Sequence, residues 1–535
     1  MPPHRDWTGD LTDWTADPYA NRNWTFQHHT LRWLNPVRHL AQEGDQAARD
    51  YWVTVVESWA KANTPPKRAE SRWAWRHMVD GTRAIQLALG SPLMTDQDEW
   101  FVPLLENHRA WLSEPKNIVL RNHGMHQLSG LFVVSATLRD PEGMETARQR
   151  LADMFRKSFD EEGVNDEGST GYHRLNLAWW EQAWQRVRLE GMEIPHEVAM
   201  RLDRAATVLA HFTQPDGFLP QIGDTKHEAV RGTITQKHLQ FAATCGEAGE
   251  APAETARVFS RGYITSRSGW GGERGTQHSH MLVRHGADLP GHSHQDRGAV
   301  HLYTAGRRWL VDGGFFNYQE NDPTRRFTLG RQAHSVAFLP ELDYRTEAEV
   351  TLIGQSVTKD WHDFTLLDKG YADYRLIRRV SYLTGPDLWI VHDQVESTEP
   401  VTLAHRWLVD TGIRPARHDR GFVLQGREGR ARLDWLGRLP QFELHRATKG
   451  DLRGWVGTAW ETLKPGSLIT AKIRRVSPRL VTMFSGQYGG PSGIVNSYVS
   501  TQGVLTLNVS RGDSVWGVTI GSESISVALN SRLGS

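Results

Sequence analysis

A chain of 535 residues is too long for one ordinary hydrophobic core, so two large domains are expected. Its 62 Lys and Arg balance 62 Asp and Glu, which excludes a dominant field drawing in nucleic acid or an anionic membrane, and any polyanion has to be gripped locally. The single cysteine, Cys245, excludes an intrachain disulfide framework and a zinc–thiolate site.

At the N-terminus, residues 1–7 carry no apolar signal-peptide core, and no run in the chain approaches the roughly 18 apolar residues of a membrane span. The expectation is a cytoplasmic protein without membrane or nucleic-acid partners, or a secreted or periplasmic one if a leader has been trimmed. Apolar residues then recur at helical spacing over 45–62, 73–89, 118–138, 144–159, 175–189 and 198–212. Breakers such as Pro65-Pro66, Gly90-Ser91-Pro92, Asp140-Pro141 and Pro215-Asp216-Gly217 separate them, which predicts an array of helical hairpins. After a linker at 247–252 the pattern changes to short β-branched or alternating runs at 300–303, 309–311, 388–392, 401–408, 468–473, 504–509 and 515–520. Ala305-Gly306-Arg307, Thr384-Gly385-Pro386-Asp387 and Ser510-Arg511-Gly512-Asp513 are the turns between them. Antiparallel strands of this kind predict a β-sandwich, so the division expected is 1–250 helical and 251–535 strand.

Asn122-His123 enters an otherwise apolar helix, where Asn122 either caps the helix or faces a cleft. Gly171-Tyr172-His173 ends a glycine-punctuated loop that can hold the tyrosine over a cleft. Asp224, in Gln221-Ile222-Gly223-Asp224, either orients a histidine or caps a turn. In Gly291-His292-Ser293-His294-Gln295-Asp296, an extended strand would put His292, His294 and Asp296 on one face, an arrangement suited to metal binding or proton transfer. A hairpin about Gly306 brings Asp312, at the end of Trp309-Leu310-Val311-Asp312, back toward this segment. A straight strand would leave His294 roughly 20 Å away, so a bend at Gly298 is expected. With His334, His294 and Asp312 make the two-nitrogen, one-oxygen set that zinc accepts.

Taken in this order, these segments resemble the heparinase II/III-like polysaccharide lyases. That resemblance implies an α + β multidomain fold, an N-terminal (α/α) toroid, an incomplete helical barrel, followed by a C-terminal antiparallel β-sandwich. It implies that Asn122, His123 and Tyr172 line the cleft, that His173 joins Asn122 at the substrate, and that His292 takes part in catalysis. It also implies zinc, mainly structural, on His294, Asp312 and His334, although Ser335 stands where the family often has Asn. Tyr318, the only tyrosine between Asp312 and His334, corresponds to a further active-site tyrosine of some members.

The activity implied is β-elimination on a uronic-acid-containing glycan of glycosaminoglycan, alginate or exopolysaccharide type, giving an unsaturated uronate. Asn122 would neutralise the carboxylate, and Tyr172 or a histidine would take the carbon-5 proton; as the base, the phenol needs nearby positive charge to lower its pKa. A uronyl 5-epimerase uses the same proton abstraction. A glycoside hydrolase would need a carboxyl pair, for which Asp166, Glu167 and Asp224 are available, and a glycan-binding protein would keep the scaffold without the chemistry. The partner expected is an acidic poly- or oligosaccharide, and a homodimer is compatible with the sequence.

Overall fold

The computed structural model describes residues 7–427, 429–486, 492–499, 504–511, 513–521 and 524–532. It divides into two compact units, the first comprising residues up to Glu161 with Leu175–Leu202, the second Glu162–Arg174 with everything from Asp203 onward.

The first unit is helical. Helices Gln46–Asn63 and Pro141–Ser158 start where Asp45 and Asp140 accept from the amides of Ala48 and Gly143, each at 3.0 Å, satisfying donors a helix start leaves unpaired. Gln46–Asn63 buries the stripe Trp52, Val55, Val56 and Trp59. Asp98–Ser113 is a helix the sequence pattern does not foresee, since Pro103 lies inside it. The helix expected over 73–89 is shorter, Met78–Gly90, because His77 before it takes a positive φ of 54°. Met78–Gly90 lies against Arg121–Thr137 so closely that a Cβ on Gly81 would overlap the backbone of His126 and Gln127.

In the second unit, among the described residues, the strands form antiparallel sheets of nine and eight strands, joined by a two-stranded and a four-stranded sheet. The two large sheets bury Trp309, Phe364, Trp389, Trp407 and Trp435 in one core, the arrangement of a β-sandwich. All seven expected strand segments are present. The hairpin about Gly306 pairs Val300–Thr304 with Arg307–Val311, and Gly298 bends the chain before it at a φ of 84°. At the turn expected over 510–513, Gly512 lies outside the described residues. Buried charge in the core is paired: Asp393 accepts from Arg378 Nε at 2.7 Å and from His405 Nδ1 at 3.0 Å. No described helix is long and apolar enough to cross a membrane.

Overpacking a core contact of the Gly81 kind commonly costs about 1–3 kcal/mol, so Gly81→Ala should lower the thermal midpoint and the unfolding free energy by that order. A loss below about 0.5 kcal/mol would contradict the close helix crossing. Burial holds His29 and His126 down to about 3, and His285 and His392 down to about 4. Each stays neutral in the fold while its unfolded counterpart takes a proton near 6.5, so the unfolded chain binds more protons and stability falls as pH drops below about 6.5. Asp80, pushed up to about 6 by burial, opposes this, as do Asp216 and His334, whose pKa values are also raised, but the histidines held low outnumber them. Urea midpoints should therefore fall from about pH 7 to about pH 5; a level or rising midpoint would count against these burials.

Candidate active site

Three loops of the second unit interlock. Gly223 takes a positive φ of 57°, and a Cβ there would press on the carbonyls of His292 and Gly168. The Asp224 amide donates to His292 O at 2.9 Å, and the His292 amide donates to Glu167 O at 3.0 Å. Thr225 Oγ1 accepts from the Gly171 amide at 2.8 Å and is 2.9 Å from Ser169 Oγ. Close backbone packing of this kind fixes side chains that the sequence places more than a hundred residues apart.

Asp224 is the hub. One carboxylate oxygen takes His292 Nδ1 at 2.8 Å and Arg325 Nη2 at 2.9 Å; the other takes His294 Nε2 at 2.9 Å and Arg325 Nη1. Burial opposes its charge, but these donors outweigh burial and hold the carboxyl far below the usual range. Of the two readings left open by the sequence, the structure therefore selects orientation, and of two histidines rather than one. The His-x-His segment is a loop, not the extended strand expected, so Asp296 does not share a face with the histidines. It turns away to accept from the Gly223 amide at 3.2 Å.

His292 lies flat on Tyr172, with ring centroids 3.3 Å apart and planes 9° from parallel. Tyr172 stands in the first turn of helix Thr170–Leu189, not in a loop before it, and its hydroxyl is 2.6 Å from that of Tyr318. Tyr172 is 9% exposed and Tyr318 39%, so the pair runs from interior to solvent. Burial, then Tyr318, Asp224 and Glu167, push the Tyr172 phenol well above its ordinary range. The condition for Tyr172 to act as the base, positive charge that lowers its pKa, is not met: Asp224 and Glu167 add to burial, and the phenol stays protonated.

His173, expected at the substrate, is 1% exposed. Its Nε2 is 2.9 Å from Ala205 O and its Nδ1 accepts from the Asn165 amide, and burial holds it down to about 4. It anchors the loop rather than facing a ligand. Glu167 and Asp224 are likewise buried, which leaves them closed to a substrate as a hydrolase carboxyl pair.

In the first unit, Asn122 and His123 occupy the first turn of Arg121–Thr137, whose cap position is Leu120, so Asn122 is not the cap. Asn122 is buried, His123 half-buried, and the His123 ring meets His77 edge-on at 5.4 Å. Arg121 and His77, at the starts of their two helices, both take positive φ, 62° and 54°. For non-glycine residues this costs about 1–3 kcal/mol each and tends to mark functional sites.

For the metal set, His294 and His334 rings lie 5.6 Å apart and Asp312 Oδ2 is 3.0 Å from His334 Nδ1. Nδ1 of His294 and Nε2 of His334 are buried without a hydrogen-bond partner, the condition of imidazoles suited to a cation. The donor types thus fit zinc, but the three have other calls on them. Asp312 also holds His301 Nε2 at 3.0 Å and the Ser335 amide at 2.9 Å, and among the described residues no three His, Cys, Asp or Glu are arranged to hold a metal ion. Sequence reasoning missed His301 and Arg325. Asp322-Pro323 does announce helix Pro323–Leu329, yet nothing distinguishes Arg325 from Arg326 as the one turned to Asp224.

Residues 4–244 match the family model for the heparinase II/III N-terminus, and residues 261–453 that for the heparinase II/III-like C-terminal region. A heparin-sulfate lyase of Bacteroides stercoris is 23% identical over 509 residues, covering 84% of this chain and 73% of that protein. The heparin-sulfate lyase of Pedobacter heparinus is also 23% identical, over 59% of this chain and about half, 51%, of its own length. Among solved structures, a heparinase III superposes with a TM-score of 0.77 at 15% identity, covering 97% of this chain and 85% of that one. A heparan sulfate lyase mutant from Pedobacter heparinus gives 0.73 at 18%, covering 96% and 85%, and both show the same toroid-and-sandwich fold. With family models matched across both its helical and its strand regions, the chain belongs to the heparinase II/III-like family.

Proposed function

We propose that this chain is a polysaccharide lyase that cleaves an acidic glycosaminoglycan by β-elimination. The observation that carries the reading is the continuous array from Asp224 through His292 to the Tyr172–Tyr318 hydroxyl pair. Elimination needs a base for the carbon-5 proton, a partner for the uronate carboxylate and an acid for the departing oxygen on carbon 4. His292, donating its Nδ1 hydrogen to Asp224, offers Nε2, 3.7 Å from Glu167 Oε2, for the base role. Tyr172, held protonated, is the acid, and the more open Tyr318 resupplies its proton through their shared hydrogen bond. The resemblance to the family's Asn-His pair gives Asn122 with His123 the carboxylate-pairing role, a term commonly worth a few kcal/mol. His294, Asp312 and His334 offer the donor types zinc takes, but they are not arranged as a metal site, and no step of the elimination passes through a metal. The heparin-sulfate lyases among the relatives favour a heparin- or heparan-type chain over alginate or exopolysaccharide.

Incubation with a panel of uronate glycans, followed by ultraviolet absorbance of the unsaturated product, tests this. A rise with one glycosaminoglycan, reduced about 10²-fold or more in Tyr172→Phe and in His292→Ala and less in Tyr318→Phe, is expected. No rise with any glycan, together with solvent deuterium entering carbon 5, would replace the lyase by an epimerase.

A further inference from the structure

Arg22, Arg72 and Arg76 are exposed on the first unit and gather round the half-buried Trp73, their guanidinium carbons 5.9, 4.8 and 5.9 Å from the indole centroid. Arg22 also lies 4.9 Å from the centroid of Phe26. Other arginines of this unit, Arg109, Arg148 and Arg156, pair with Glu106, Glu145 and Asp153 on their own helices. Among the described residues no carboxylate pairs with Arg22, Arg72 or Arg76. In a chain with as many acids as bases, three guanidinium groups gather over one half-buried ring with no carboxylate among the described residues between them, each gaining about 0.5–1 kcal/mol from cation–π contact.

The strip is continuous with the Asn122–His123 pair. Trp73 meets Phe26 at 5.3 Å, Phe26 meets His77 at 6.0 Å, and His77 meets His123 at 5.4 Å. Planar forks held over one indole by cation–π contact suit a sugar that offers acidic oxygens at its edge, since a guanidinium binds carboxylate or sulfate oxygens two at a time. We infer that Trp73 with Arg22, Arg72 and Arg76 forms an outer subsite for a second acidic sugar of the glycan, beyond the uronate held at Asn122–His123. This rests on the acidic-glycan reading above and extends it, because it requires a substrate charged at more than the sugar being cleaved.

Calorimetric titration reads the subsite without catalysis, using a heparan-type tetrasaccharide with carbon in place of the cleavable glycosidic oxygen, in sulfated and desulfated forms. Arg22→Gln/Arg72→Gln/Arg76→Gln and Trp73→Ala should each weaken binding about tenfold or more, while the triple Arg→Lys chain, keeping the charge but not the fork, falls in between. Loss confined to the sulfated form identifies a sulfate as the group held, and loss with both identifies the carboxylate. Unchanged affinity for both forms, in variants whose thermal midpoints match the parent, overturns the subsite. If the parent binds and the variants do not, yet no glycan is cleaved, the subsite stands and the lyase reading falls.

Discussion

Asp224 is buried, and each of its carboxylate oxygens accepts from one histidine and from Arg325. A charge removed from water in this way is stable only while its partners stay, and removing one member of a buried pair typically costs about 3–5 kcal/mol. Three chain segments, around Asp224, His292 and Arg325, are thereby held in register. The position of the His292 ring over Tyr172 follows from that register, and the tyrosine pair follows from the ring. The backbone agrees with the charges: Gly223 permits the approach, and the Asp224 amide bonds to the carbonyl of the same histidine its side chain orients.

The fold was legible because it is written in periodicity. Asp45 and Asp140 announce their helices, and the runs at 401–408 and 468–473 alternate or branch as strands do, so the helical and strand regions separate without long-range information. Local errors came where a backbone angle overrode the pattern, as His77 does by starting its helix late, or where a loop mimicked a strand, as at 291–296. The candidate residues His292, His294, Asp312, Tyr172, Tyr318 and His334 were also legible, since their types are costly to bury without purpose. Their partners were not. Arg325, His301 and the double role of Asp224 depend on contacts across 68 to 101 positions, or across a hairpin, which no single-sequence pattern encodes.

The electrostatic environment decides which group can do what. A tyrosine whose charge is opposed by burial and by Asp224 and Glu167 keeps its proton, whereas the imidazole stacked on it gives its Nδ1 hydrogen to Asp224. In the proposed elimination the acid and base roles are separated by environment rather than by residue type. The balanced net charge of the chain leaves attraction of a polyanion to local groups, and in the first unit the arginines over Trp73 are the group proposed for it.

The central claim is that Asp224 fixes His292 with hydrogen on Nδ1, leaving Nε2, 3.7 Å from Glu167 Oε2, as the nitrogen that takes the proton. Nitrogen-15 NMR of histidine-labelled protein reads this directly, with the His292 signals assigned by their loss in His292→Ala. Protonated Nδ1 with bare Nε2 near neutral pH, reverting to a mixture of tautomers in Asp224→Asn, is the predicted result. A His292 protonated on Nε2 with Nδ1 bare, or one indifferent to Asp224→Asn, would contradict the account.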